Sequence, residues 1–430
     1  MSRPFLRPGW RWRWLAALLC AGGAASAQTA DSTRTGGPAG VTGADSARNP
    51  SRPQPFQYEK DAGFRYQRGD FSWTTWAFAE RLFSPGTRPA WRRFRQGMEV
   101  KLPAYGFNLH GQTFRTALIY EVDFADNNFF IDSKRFKIIE NLYLTFQDAK
   151  DPGKFRLLVG ENTHILSRED NLSSGNLPTI NRSLILEQHG STNSFGTQWG
   201  VEVQKQVSPT LFLQAALQDN RGSLNQDTAR FQFWKSTAVK ATKTVLAATD
   251  TNPRKLNVGL AVDYTRDIRY RRFTLASALN AVPLGSTPAT GNKRTFEHNA
   301  DYTNRLGKHL YTAEYEVLYS TYSDQHLGVA GGYAQLQYQV TDGGRSGGDL
   351  VPFVRYEVVQ LSTSAQAATE QALRLGLNYN LPFTGQFVGF HLEYAHHVLR
   401  GSPDILVSPP REFEEFRFEL RANASRYLRF

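Results

Sequence analysis

The residues of this chain best suited to chemistry are its histidines and arginines, and their spacing limits what each set can do. His164, His189, His298, His391, His396 and His397 could act as bases or metal ligands, with serines plentiful around them. Nucleophilic catalysis requires a serine on a sharp turn with a base in reach, and no Gly-x-Ser-x-Gly elbow occurs. No His-Glu-x-x-His pair is present to place two imidazoles on one helix face. His396 and His397 are adjacent, so on a strand they point to opposite faces and cannot share a metal. His391 and His397 share a parity with Glu393, which reads as ordinary polar-face chemistry, with a metal site as the weaker alternative. The expectation is a protein that is not an enzyme and uses no cofactor.

The basic residues suggest a different kind of work. Arg115, Lys137, Arg156 and Arg374 lie on polar faces, and Arg168 and Arg182 lie in a long polar stretch, Glu161–Ser194. Inward-facing cations lower the cost of stripping water from an anion, so these six are the candidates for lining and constricting a pore. For each, the alternative is a rim contact with headgroups or solvent. Lys235, Lys240 and Lys243 do not share one parity, which predicts a solvated loop. The run Arg266–Arg272 predicts a rim or turn touching lipid phosphates.

Such residues matter only if something arranges them around water, and the sequence supplies that element. Leu256, Val258, Leu260, Val262 and Tyr264 alternate with Asn257, Gly259, Ala261 and Asp263. Tyr311, Ala313, Tyr315, Val317 and Tyr319 alternate with Thr312, Glu314, Glu316 and Ser320, and Leu373–Leu381 alternates with Arg374, Gly376, Asn378 and Asn380. Similar runs cover Arg115–Phe124, Phe195–Val207 and Ala334–Val340. Period two is the strand signature. The polar faces are Gln, Asn, Glu, Arg and Gly, while the opposite faces keep Leu, Val, Tyr and Phe, as expected where one face meets lipid and the other encloses water. The last run puts Phe416, Phe418, Leu420, Ala422, Ala424, Leu428 and Phe430 on one parity and closes on an aromatic. That pattern resembles the sorting signal of outer-membrane barrels.

Composition agrees. Mean hydropathy is −0.47, and beyond the first residues no stretch approaches the ~18 apolar residues of a spanning helix. Aromatic residues nevertheless reach 13%, which suits the two interfacial girdles of a lipid-embedded barrel. Arg3, Arg7, Arg11 and Arg13 precede the apolar run Trp14–Ala27, which ends in Ala25-Ser26-Ala27. This is the layout of a cleaved secretory signal. Residues 28–55, rich in Thr, Ser, Gly, Ala and Pro, predict a disordered leader, and 56–430 a single domain. If Cys20 leaves with the signal, the mature chain carries no cysteine, hence no disulfide or thiolate chemistry. A net charge of +11 suits anionic lipid, including lipopolysaccharide, or small anions. Nucleic acid is not expected, because there is no lysine-rich block. Residues 56–430, at roughly 22–25 per strand with its connection, predict about 16 antiparallel strands, with 14–18 possible. The fold class is therefore all-β, a transmembrane antiparallel β-barrel.

Phe155–Gln218 carries a more specific likeness. Val159-Gly160, Ser173-Ser174, Arg182-Ser183 and the hairpin opening at Gly196–Gly200 are similar to the segment typical of the phosphate-selective porin O and P family. Glu161 stands where that family usually has Gln, and Asn162-Thr163-His164 replaces its usual continuation. The resemblance implies a 16-stranded porin, commonly a homotrimer, passing small polar or anionic solutes. The competing readings are a structural or adhesion barrel with a plugged lumen, and a barrel hydrolase.

Overall fold

Where the alternation holds, the chain forms strands, because side chains of one parity can then face lipid while the other parity faces inward. The computed structural model describes the strands below with the residues directly flanking them, together with 164–169, 179–180 and 182–186. The strands are β1 (Phe56–Glu59), β2 (Gly63–Arg68), β3 (Phe71–Phe83), β4 (Ala90–Leu109), β5 (Gln112–Asp123), β6 (Ile139–Asp148) and β7 (Phe155–Thr163). Next come β8 (Thr197–Ser208), β9 (Leu211–Gln218), β10 (Ser236–Leu246), β11 (Lys255–Arg269), β12 (Phe273–Leu275), β13 (Val282–Leu284) and β14 (Thr290–Leu306). The series ends with β15 (His309–Tyr322), β16 (Leu327–Val340), β17 (Leu350–Ser362), β18 (Ala367–Asn380), β19 (Val388–Gly401) and β20 (Arg411–Asn423).

From β3 to β11 each strand pairs antiparallel with the next; β11 then pairs with β14, and the series runs on to β20. β20 returns to β3 between Phe418↔Phe83 and Asn423↔Phe78. The ring therefore holds 16 strands, the number expected from strand spacing. Pairing around the ring satisfies backbone groups strand to strand, as a bilayer demands. β1 and β2 form a hairpin whose second strand adds to β3 at Phe71–Thr75, beside the stretch that β20 occupies. β12 and β13 make a separate hairpin. The expected signal (1–27), the leader (28–55) and the terminal residues 424–430 lie outside the described residues.

Between β4 and β10 the connections differ in length from one end of the ring to the other. On one end Leu109–Gln112 and Ser208–Leu211, and further round Leu306–His309, are joined by tight turns; the other end carries the long connections 124–138, 219–235 and 164–196. The two faces separate as the periodicity predicts. Outward side chains are exposed, with Val262 54%, Leu336 59% and Tyr319 50% accessible, whereas inward Glu316, Glu357 and Arg374 are each at 0%. A wall of 16 strands is wide enough to enclose water unless something enters it.

Candidate functional site

The described residues that enter are 164–169, 179–180 and 182–186. β7 ends at Thr163, and its Gly160 lies at φ 136°, where a Cβ would come within 2.3 Å of the Leu142 carbonyl oxygen. Beyond it the chain turns inward and every described side chain from His164 to Ser167 is buried. His164 anchors the turn: its Nδ1 accepts the Leu166 N–H at 3.2 Å, and its Nε2 lies 3.3 Å from Ser236 Oγ. An Nδ1 that accepts leaves the neutral ring's proton on Nε2. Ser236 in turn donates to Asp263 at 2.8 Å. His164 Nε2 also lies 3.7 Å from Asp263 Oδ1, so histidine, serine and carboxylate form one compact cluster at the turn.

The wall grips this segment by its main chain. Glu297 of β14 accepts the Ser167 N–H at 2.7 Å. Glu316 of β15 accepts two, Arg168 N–H on Oε1 at 3.2 Å and Glu169 N–H on Oε2 at 3.1 Å. Glu393 of β19 accepts Ile180 N–H at 2.8 Å, and Glu357 of β17 accepts Leu184 N–H at 3.1 Å. These backbone donors have no strand partner, so wall oxygens replace the water they would otherwise lose.

Arginines lace the same region. Arg355 meets Glu169 at 2.7 Å and Glu357 at 2.5 Å, with its guanidinium 3.8 Å over the Tyr333 ring. Arg374 lies 3.3 Å from Glu357 and 2.6 Å from Glu393. Arg168 pairs with Glu314 and, at 3.4 Å, with Asp301. Arg182 donates to the Glu169 carbonyl at 2.6 Å, and Arg421 to the Thr179 carbonyl at 3.0 Å. Burial pushes the Glu169 carboxyl up, but Arg355 and the Ser183 N–H outweigh it and hold it below the ordinary carboxylate value. Beneath the network, Leu166, Leu184, Ile185 and Leu186 pack on inward Leu318, Val329, Val359, Leu361 and Leu399. Gly331 makes room for this contact, since a Cβ there would meet Ile185 Cδ1 at 3.1 Å.

Of the six candidates, the structure brings Arg168, Arg182 and Arg374 into this one network, and all three are engaged by carboxylates or carbonyl groups. Arg115 and Arg156 lie elsewhere, on a cross-strand row of inward parity. That row runs Arg115↔Gln147, Gln147↔Arg156, Arg156↔Gln204, Gln204↔Gln214 and Gln214↔Lys240. Arg156 Nη2 donates to Gln147 Oε1 at 3.3 Å. Lys137 lies outside the described residues.

One expectation needs correction. Lys240 and Lys243 are not in a solvated loop: both belong to β10, Lys240 is buried against Glu297 at 2.9 Å, and Lys243 is exposed. Their different parities reflect opposite faces of one strand. On the polar face that carries His391, Glu393 and His397, Glu393 makes separate contacts from His397. That ring stacks on Phe413 at 4.6 Å and bonds Glu370 at 2.8 Å, while Glu393 goes to Arg374 and Ile180. Sequence reasoning missed Glu297 and Glu357 and the inward apolar patch. The available signal was apolar residues breaking the polar parity at Leu318, Val329, Val359 and Leu361.

The protein-family model for phosphate-selective porin O and P matches residues 92–399. Among solved structures the chain is similar to OmpT, an outer membrane protein of Vibrio cholerae in its trimer form, with TM-score 0.51 and 11% identity over 82% of this chain and 98% of that one. It is also similar to the outer membrane channel DcaP of Acinetobacter baumannii, with TM-score 0.50 and 12% identity over 84% of this chain and 99% of that one. No curated protein matches the chain. At such identities these two structures speak for the barrel fold, and the family match covers most of the ring. The chain belongs to the phosphate-selective porin O and P family and is an outer-membrane porin.

Proposed function

We propose that small polar solutes diffuse passively through the lumen, with a preference for anions such as phosphate, and that no catalytic step is involved. The observation that carries the anion preference is the row holding Arg115 and Arg156. Neither shows a carboxylate partner among the described contacts, and their row neighbours are Gln147 and Gln204. An unneutralised guanidinium on a water-lined wall attracts oxyanions and offers them paired N–H donors. By contrast Arg168 and Arg374 face carboxylates, which cancel most of their field. The infolded segment acts as the constriction, with Arg168 as its partly exposed charged member.

In this reading the chain is exported by a signal cleaved after Ala27 and sits in the outer membrane as a homotrimer, its rim against lipopolysaccharide. The outward Leu, Val and Tyr residues of β10 to β19 suit lipid or a neighbouring copy. Proteoliposomes loaded with radiolabelled phosphate test the transport claim. Efflux down the gradient without an energy source is expected; retention equal to protein-free vesicles would contradict it.

A further inference from the structure

We propose that Glu297, Glu316, Glu357 and Glu393 are positioning residues that fix the aperture, so that the wall sets where the infolded residues sit. This rests on the channel reading above. The bonds fall on N–H groups of Ser167, Arg168, Glu169, Ile180 and Leu184, which every residue type except proline provides. These five bonds therefore do not depend on which side chains the segment carries. They come from four different strands and take hold of Ser167, Arg168 and Glu169 at one place and of Ile180 and Leu184 at another, so the described residues are pinned at two places rather than hinged at one.

Three of the four acceptors are themselves held by wall side chains. Lys240 fixes Glu297, with Asn299 bonded to the same carboxylate; Arg355 and Arg374 flank Glu357; and Arg374 also holds Glu393. Glu297, Glu316 and Glu357 are 0% exposed and Glu393 1%, so water does not compete for their oxygens. Apolar packing of Leu184, Ile185 and Leu186 then closes the space between segment and wall. Loss of one acceptor leaves a buried donor facing no partner, which favours a displaced segment over the seated one.

Glu316→Gln is the sharp variant, because both oxygens are used and the amide replaces one of them with a donor facing an N–H. Single-channel conductance in KCl is expected to rise by about twofold, and the size cut-off for neutral polyethylene glycols to move upward. Glu202→Gln is the control: this buried inward carboxylate is bonded by the side-chain amides of Asn162, Gln204 and Gln214, and its replacement should leave conductance and cut-off at wild type. Strand circular dichroism verifies folding, and if Glu316→Gln does not fold, Glu393→Ala is read in the same way. A folded Glu316→Gln channel with wild-type conductance and cut-off would overturn the inference alone. A wild-type protein that passes no current would remove the channel reading on which it rests.

Discussion

Arg355 of β17 and Glu169 of the infolded segment, 186 positions apart in the chain, meet at 2.7 Å with neither more than 1% exposed. The pair ties the segment to the wall through side chains where Glu316 and Glu357 tie it through the backbone. Removing one partner of so buried a pair leaves an uncompensated charge, so its integrity and the segment's position are coupled.

That pair predicts an acid response with a definite sign. Glu169 is held below its ordinary value of 4.5. A depressed carboxyl contributes stability that is fully present above the ordinary value and lost as pH falls through the lowered one. Conductance recorded at stepped pH should therefore stay level through neutral and mildly acidic solution, and change only once the medium is more acidic than the ordinary carboxylate range. Glu169→Gln should abolish that acid-side step; its survival in the variant would refute the assignment.

Arg374 bridges two carboxylates, so Arg374→Ala should cost about 3–5 kcal/mol by leaving Glu357 and Glu393 without their shared cation. Urea unfolding of the refolded barrel measures this. A loss below about 1 kcal/mol would mean that the network contributes no more than exposed ion pairs do.

Much of this architecture was legible in the amino-acid order, and the reason is the period of the strand. Lipid on one side and an aqueous interior on the other force alternate residues apart in polarity, so Val262 and Asp263, or Leu375 and Arg374, announce their faces locally. The inward parity of Arg374 was readable in the same way, but its partners were not. Glu357 and Glu393 come from other strands, and Ile180 meets Glu393 across 213 positions. Contacts between a connection and a distant wall have no period, so nothing local marks them. Lys240 was misplaced for a related reason: a cluster of mixed parity suggested a loop, whereas one strand carries Lys240 inward and Lys243 outward.

The lipid face gives a prediction independent of the lumen. Val262 lies midway along β11 and is 54% exposed. Val262→Arg should destabilise the barrel in lipid vesicles by about 2–4 kcal/mol, as a cation near the bilayer midplane does. Equal stability of wild type and variant would argue that this face meets water or protein instead.

The two arginines of the amide row should carry selectivity without carrying stability. Arg115→Gln together with Arg156→Gln should shift the reversal potential toward that of an unselective channel while the unfolding free energy stays within about 0.5 kcal/mol of wild type. A loss of selectivity from Arg182→Gln, with the double variant unaffected, would move the filter to the infolded segment.

The central claim is that the inward parity encloses a water path biased toward anions. Single-channel currents of the purified, refolded protein across a KCl gradient test it most directly. The account predicts ion current reversing on the chloride side of zero. A folded protein with no current, or a reversal on the potassium side, would contradict it.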